Sequence, residues 1–185
     1  MKDILLTRRY AKAYLEYAIQ NQMTDEGLSD MKTISETIND SRELRRILSE
    51  PFITDNKKND ILMRVFKGNV SDKTLNFISL MTDKNRSDII ADVYEQYREL
   101  YNEYNNIAVV TVTTAVKIDE AMTQKFLYFV KDVVKGNIQI VNDIDENIIG
   151  GFIIRRGDYV YDASVRTKLK NLSKTFAENL YVKGY

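Results

Sequence analysis

Apolar residues recur at intervals of three and four through the first half of the chain, the spacing that lines one face of an α-helix. Six segments share this spacing, of which the first begins near Asp3 and the sixth ends near Asn105. Ser41 and Ser71 stand where N-caps of the third and fifth helices are expected, and Pro51 interrupts the chain between the third and fourth. The pattern predicts a bundle of six helices over residues 1–105.

The period changes after Asn106, where β-branched residues gather in shorter, extended runs. The runs IAVVTVTTAV, NIQIVND, GFIIRR and YVYD predict four strands. Helical spacing predicts one helix over about 119–134 and a last helix over about 164–181, whose apolar face holds Val165, Leu169, Leu172, Phe176 and Leu180. The predicted fold class is therefore α+β, with an N-terminal six-helix bundle over 1–105 followed by a small β-α-β-β-β-α domain over 106–185.

Charge balance removes one class of partner. The 185 residues include 27 basic and 27 acidic side chains, so the formal net charge is zero. A nucleic-acid-binding protein is usually basic overall or on one face, because phosphates dominate the affinity. No nucleic-acid partner is expected, and an RNA-binding helical bundle is disfavoured.

The chain contains neither cysteine nor histidine. These absences remove the residues that form most metal sites and most general bases near neutral pH, so no metal or cofactor is predicted. Asp143, Asp145 and Glu146 form the densest acidic group, but they fit a solvated loop better than a magnesium site. No run approaches the ~20 apolar residues of a membrane helix, and any membrane contact is expected to be indirect, through a partner.

The stretch GGFIIRRGDYVYDASVR concentrates the glycines of the second half. Gly157 and Asp158 lie between two predicted strands and suit a type II′ hairpin turn. Gly150 and Gly151 precede a strand rather than a helix, so they predict a bend or a close backbone approach and not a phosphate-binding loop. The tripeptide at 156–158 matches a cell-adhesion motif, which we interpret as accidental.

The end of this stretch allows two interpretations. Asp162 and Ser164 are typical of a turn and helix cap, with Arg166 in the first turn of the helix that follows. Ser164 and Lys168 are also spaced as a serine–lysine dyad, so a small hydrolase is the alternative function. The capping interpretation is favoured, since the chain has no histidine to serve as a base.

Two helices of the predicted bundle are apolar on more than one side. A helix on the surface of a closed bundle needs only one apolar face. The excess is explained either by a neighbouring helix of the bundle or by a helix from a partner, and the sequence leaves both open. The positions concerned are Tyr10, Ala13, Tyr14 and Tyr17 in the first helix and Phe77, Leu80 and Met81 in the fifth.

Three segments together resemble the delta subunit family of F-type ATP synthases, the family of the mitochondrial oligomycin-sensitivity conferring protein. They are RRYAKAYLEYA at 8–18, MTDKNRSDIIADVYEQYRELYNE at 81–103 and IIGGFIIRRGDYVYDASVRTKLKNL at 148–172. The third is the most specific, because its glycine pair, glycine-aspartate and aspartate-x-serine-valine-arginine elements occur in the family's order. Two positions depart from the family: Arg9 replaces a frequent proline, and Ala163 replaces a usual glycine.

The resemblance implies a non-catalytic stator subunit that resists rotor torque during proton-driven ATP synthesis. It implies that the first domain binds the N-terminal helix of an alpha subunit, in a groove formed by the seven residues of the first and fifth helices given above. It implies that the second domain, over about 107–181, binds the peripheral-stalk b subunits, and that the protein is a monomer within the complex. The implied location is the cytoplasmic face of the bacterial inner membrane, as a peripheral subunit.

Overall fold

The computed structural model describes residues 4–131 and 136–178. The chain divides into two compact units, one ending at Tyr104 and the other beginning at Asn105. Among the described residues the named elements of the first unit are helices, and the second unit contains a four-stranded sheet with helices. The mixed helix and sheet class predicted from the sequence is confirmed. The predicted helix ends at Asp3, Val134 and Tyr181 lie outside the described residues.

The first unit contains six α-helices among its described residues. Serine side chains cap two of them: the Ser41 Oγ accepts from the Leu44 amide at 3.2 Å, and the Ser71 Oγ accepts from the Thr74 amide at 3.3 Å. A 3₁₀ turn over Ser87–Ile89 leads into the sixth helix. The bounds are α1 Ile4–Gln20, α2 Thr24–Asp40, α3 Arg42–Ser49, α4 Asp55–Phe66, α5 Asp72–Asp83 and α6 Ile90–Tyr104.

One hydrophobic core joins the helices of this unit. Tyr14 from α1 and Tyr97 from α6 are fully buried near its centre, with ring centroids 5.0 Å apart. Gly27 of α2 lies directly against them, and a Cβ at that position would meet both phenol oxygens at 3.1 Å. The helix α2 can approach α1 and α6 closely here because Gly27 has no side chain.

The second unit contains a mixed four-stranded sheet of order β2-β1-β3-β4. β1 and β2 are parallel and are joined through the helix α7, whereas β3 pairs with β1 and β4 in antiparallel fashion. The bounds are β1 Ile107–Thr114, α7 Glu120–Lys131, β2 Asn137–Ile144, β3 Phe152–Arg156, β4 Tyr159–Asp162 and α8 Val165–Glu178, with a 3₁₀ turn over Glu146–Ile148.

A small core lies between α7 and one face of this sheet. Val110, Val112 and Ile154 from the strands are buried against Phe126 and Val130 of α7. Alternation along β1 gives this face its apolar side chains, since every second residue of a strand points the same way. Across the described residues, none of the helices is long and apolar enough to span a membrane.

Candidate partner-binding surfaces

The seven residues predicted on α1 and α5 fall into two groups. Tyr14, Phe77 and Met81 are buried in the core of the first unit. The Tyr14 and Phe77 rings stack with centroids 4.4 Å apart, so the two helices contact each other through these side chains. These three buried residues form the layer between α1 and α5, which is called the floor below, and they expose almost no surface.

The other four residues retain exposed surface. Tyr17 is 36% exposed and Leu80 is 51% exposed, Ala13 is exposed, and Tyr10 is half-buried against the core. Tyr10, Ala13 and Tyr17 follow a spacing of three and four, so they line the same side of α1 as Tyr14. The excess apolar residues were explained either by packing within the bundle or by a partner helix. For Tyr14, Phe77 and Met81 the explanation is packing within the bundle. Ala13, Tyr17 and Leu80 are left exposed, and Tyr10 is left partly exposed.

A buried hydrogen-bond network fixes the floor. The Tyr14 and Thr74 hydroxyls are 2.6 Å apart, and the Thr74 hydroxyl donates to Asp30 Oδ2 at 2.7 Å. The same Asp30 oxygen accepts from the Ser71 amide at 3.0 Å and from the Ser71 hydroxyl at 2.6 Å. Burial raises the pKa of the Tyr14 phenol above its ordinary value, so the phenol stays protonated and able to donate. The network links α1, α2 and the start of α5 through hydrogen bonds.

The glycine-rich stretch of the second unit is a structural corner. Gly151 has φ +77°, and a Cβ there would lie 2.5 Å from the Ala163 carbonyl oxygen, so the two backbones meet closely. Gly150 accepts the Val165 amide at 2.9 Å. Gly157 has φ +54° at the β3–β4 turn while Asp158 does not have a positive φ, which fits a type II′ turn.

Hydrogen bonds around Asp162 begin the last helix. Its Oδ1 accepts from the Ser164 amide at 2.8 Å, and its Oδ2 accepts from the Thr167 hydroxyl at 2.7 Å. Hydrogen bonds from Ser164 have the largest effect on the pKa of the Asp162 carboxyl, which they lower below its ordinary value. The hydrogen bond from Thr167 lowers this pKa further. The Ser164 Oγ accepts from the Thr167 amide at 3.2 Å, the geometry of an N-cap. Arg166 is exposed.

This geometry gives the hydrolase alternative no support. Ser164 is 2% exposed, and its hydroxyl oxygen is occupied by the capping bond. A nucleophilic serine needs access to substrate and a base within hydrogen-bond reach. Lys168 extends from an exposed position one turn along the helix, where its amide bonds the Ser164 carbonyl. Ser164 is a structural residue.

The acidic group near the end of β2 is divided between the strand, which holds Asp143, and the turn that follows, which Asp145 caps. Asp145 Oδ1 accepts from the amide of Asn147 at 2.9 Å and from its side-chain nitrogen at 2.7 Å. The backbone hydrogen bond from Asn147 lowers the pKa of the Asp145 carboxyl, with its side chain and the charge of Arg166 adding to the effect. Among the described residues no group of three or more acidic side chains has metal-binding geometry.

Sequence reasoning did not anticipate the exposure of α8. An amphipathic helix in a layered domain usually buries its apolar face. Here Val165 is 36% exposed, Leu169 and Leu172 are each 53% exposed, and Phe176 is 71% exposed. The predicted fifth member of that face, Leu180, lies outside the described residues. The apolar spacing was visible in the sequence, but spacing does not say whether another element covers the face.

Comparison with known proteins gives this architecture a family. A family model described as ATP synthase delta (OSCP) subunit matches residues 6–176. The ATP synthase subunit delta of Christiangramia forsetii is 36% identical over 182 residues, which cover 98% of this chain and 98% of that protein. The ATP synthase subunit delta of Prochlorococcus marinus strain AS9601 is 34% identical over 176 residues, covering 94% of this chain and 97% of the relative.

A solved structure has the same fold. A chain in the cryo-EM structure of the Toxoplasma gondii mitochondrial ATP synthase hexamer superposes with a TM-score of 0.68 at 22% identity, over 93% of this chain and 97% of that chain. The resemblance based on three sequence segments is confirmed by matches that span both units. The protein is a structural and not a catalytic part of an ATP synthase. The chain belongs to the ATP synthase delta (OSCP) subunit family.

Proposed function

We propose that this subunit joins the catalytic head of an ATP synthase to its peripheral stalk. The first unit binds the N-terminal helix of an alpha subunit on the surface of α1 and α5. The second unit binds the b subunits of the stalk. The protein acts there as a monomer, peripheral to the cytoplasmic face of a bacterial inner membrane.

The observation that carries the first contact is the exposure of Tyr17 on α1 and of Leu80 on α5, two helices that touch through the rings of Tyr14 and Phe77. Large exposed apolar patches on folded proteins are usually interaction sites. Tyr10 and Ala13 extend this surface along α1 beside the buried Tyr14. An amphipathic helix suits such a surface, because it presents apolar side chains at matching intervals of three and four residues.

The function needs mechanical strength rather than chemistry. Rotor torque on the head becomes work at catalytic sites elsewhere only if the head is held still. Burial of apolar surface contributes about 25 cal/mol per Å² to the free energy of association. Differences in affinity between related interfaces lie mostly in the dissociation rate. A helix bound over this floor therefore dissociates slowly without any covalent step. The hydrogen bonds at Asp30 and Thr74 hold α2 and α5 together beneath this surface.

A matched pair of substitutions on α1 tests the groove. Tyr17 and Ile19 are each 36% exposed, but Tyr17 lies on the side of Tyr14 and Ile19 on the opposite side of the helix. Tyr17→Asp is expected to weaken binding of a synthetic alpha-subunit N-terminal helix at least about tenfold, as is usual for a central contact. Ile19→Asp is expected to change it less than about twofold. Titration calorimetry with the full chain measures both.

Leu80→Asp and Ala13→Asp extend the test to α5 and to the middle of α1. Both side chains are exposed, so their replacement leaves the core intact, which circular dichroism checks. Unchanged affinity in Tyr17→Asp, Leu80→Asp and Ala13→Asp together would remove the groove from the proposal.

A further inference from the structure

The helices α1 and α5 of the proposed groove meet at Tyr14. Its ring stacks on that of Phe77 with centroids 4.4 Å apart, and its hydroxyl lies 2.6 Å from the hydroxyl of Thr74. A Cβ on Gly27 would lie 3.1 Å from the same phenol oxygen, so α2 closes the space around it. The position of the Tyr14 ring therefore sets how the two walls of the groove lie relative to each other.

The number of hydroxyl protons gives the hydrogen bonds at Tyr14 a direction. The Thr74 hydroxyl has one proton, which it donates to Asp30 Oδ2 at 2.7 Å. The 2.6 Å bond between Thr74 and Tyr14 therefore uses the proton of the phenol. Burial raises the pKa of that phenol above its ordinary value, so the proton stays on Tyr14. A hydroxyl chain results, which runs from Tyr14 of α1 through Thr74 of α5 to Asp30 of α2.

Asp30 ends the hydroxyl chain as a buried carboxylate. Its side chain is 8% exposed, and the same Oδ2 also accepts from the amide and the hydroxyl of Ser71 at 3.0 and 2.6 Å. None of the ion pairs within the described part of the chain includes Asp30. A buried carboxylate without a basic partner lowers stability unless hydrogen bonds replace its water. Donors from the cap and first turn of α5 replace that water, so Asp30 ties the start of α5 to α2.

The hydroxyl chain constrains the floor in a way that apolar packing does not. A hydrogen bond forms only within narrow limits of distance and angle, whereas apolar contacts are not directional. The chain therefore favours one placement of the Tyr14 ring and of the first turn of α5. The apparent dissociation constant of a partner rises in inverse proportion to the fraction of molecules that hold the binding arrangement. Loss of the chain lowers that fraction.

We propose that Asp30 and Thr74 are positioning residues for the groove, which hold Tyr14 and the start of α5 in the arrangement that receives a partner helix. The inference rests on the proposed function, under which this helix belongs to an alpha subunit. Both residues are buried, so they act through Tyr14 and do not touch the bound helix. Their substitution weakens binding while the exposed surface of the groove keeps its side chains.

The first experiment compares the same substitution at two positions of α5. Thr74 and Thr82 are both 0% exposed, but the Thr82 hydroxyl donates to the Ile78 carbonyl of its own helix at 2.9 Å. Thr74→Val removes the middle of the hydroxyl chain and is expected to weaken binding of a synthetic alpha-subunit N-terminal helix about five- to tenfold. Thr82→Val is expected to change this affinity less than about twofold. Titration calorimetry with the full chain measures both.

Two further variants separate positioning from a general loss of stability. Thr74→Ser keeps the hydroxyl and is expected to bind within about twofold of the wild-type affinity. Asp30→Leu removes the acceptor at similar volume and is expected to weaken binding as Thr74→Val does. Hydrogen exchange at the start of α5, measured by mass spectrometry, is expected to be faster in Thr74→Val and Asp30→Leu but not in Thr82→Val. Circular dichroism checks that each variant stays folded.

The outcomes distinguish the hydroxyl chain from the groove itself. If the wild-type chain binds the helix and Thr74→Val binds it equally well, the positioning role is wrong and the groove stands. If Thr82→Val weakens binding as much as Thr74→Val, or if Thr74→Ser does not restore it, the loss reflects general destabilisation and the positioning role is overturned. If the wild-type chain does not bind the helix, the proposed groove fails and the positioning role falls with it.

Discussion

Two glycines decide the corner of the second unit for different reasons. Gly151 combines a φ of +77° with a backbone contact that leaves no room for a side chain. Gly157 has a φ of +54° but open space around it. Ala163, which replaces a glycine usual in the family, does not have a positive φ, so the alanine causes no strain there. Of the two residues that meet at this corner, Gly151 has the positive φ and Ala163 does not.

We predict that Gly151→Ala destabilises the second unit by at least about 3 kcal/mol. A left-handed backbone costs a non-glycine residue roughly 1–2 kcal/mol, and the 2.5 Å approach to the Ala163 oxygen adds a clash that only backbone movement relieves. Gly157→Ala is the control, with an expected cost of about 1 kcal/mol from φ alone. Urea unfolding measures both, and equal costs would mean that the close approach does not matter.

At the scale of helices, α1, α2 and α6 meet where a glycine faces two buried tyrosines. The Tyr97 hydroxyl donates to the Thr24 carbonyl at 3.1 Å, and the Tyr14 hydroxyl bonds Thr74. Both phenols are fully buried, and burial raises the pKa of each above its ordinary value. Their positions are set by these bonds, so neither can move aside without losing one.

We predict that Gly27→Ala destabilises the first unit by about 1–2 kcal/mol. Helix propensity favours alanine over glycine by about 1 kcal/mol, but an added methyl in a filled core costs about 1–3 kcal/mol, and here it also displaces hydrogen-bonded phenols. Ser29→Ala, at an exposed position of the same helix, is expected to be stabilising by a few tenths of a kcal/mol. Thermal unfolding followed by circular dichroism measures both. A stabilised Gly27→Ala variant would contradict the packing argument.

At the scale of the molecule, the two hydrophobic cores share no residue within the part of the chain that the structure describes. The core of the first unit joins six helices, and that of the second lies between α7 and the sheet. Each unit therefore buries its own apolar side chains, and stability need not be shared between them. The second core is small, with five buried hydrophobic residues among those described.

We predict that core substitutions act on one unit at a time. Ile34→Ala and Val112→Ala each remove part of a side chain that is 0% exposed, in the first and second core respectively. Each is expected to cost about 2–4 kcal/mol in its own unit and to leave the other unchanged. Hydrogen exchange measured by mass spectrometry reports each unit separately. Faster exchange throughout the chain in either variant would show that the two cores unfold together.

Much of this fold follows from patterns in the sequence. Helical spacing, the serine caps at Ser41 and Ser71, and the change of period after Asn106 predict the elements close to their observed bounds. These signals are local, because a cap or an amphipathic period depends on residues within one or two turns. The order of the glycine pair, the glycine-aspartate and the aspartate-x-serine-valine-arginine elements in the third segment carried the resemblance to the family, which the match over residues 6–176 confirms.

The sequence by itself determined the elements, their order, the mixed helix and sheet class and the family. Only the tertiary structure decided which apolar residues are covered. Tyr14 and Tyr17 lie one turn apart on the same helix, yet Tyr14 is buried and Tyr17 is partly exposed. Leu172 has the spacing of a core residue and lies at the surface. Periodicity sets where apolar side chains point along an element, whereas burial depends on contacts between residues far apart in the chain.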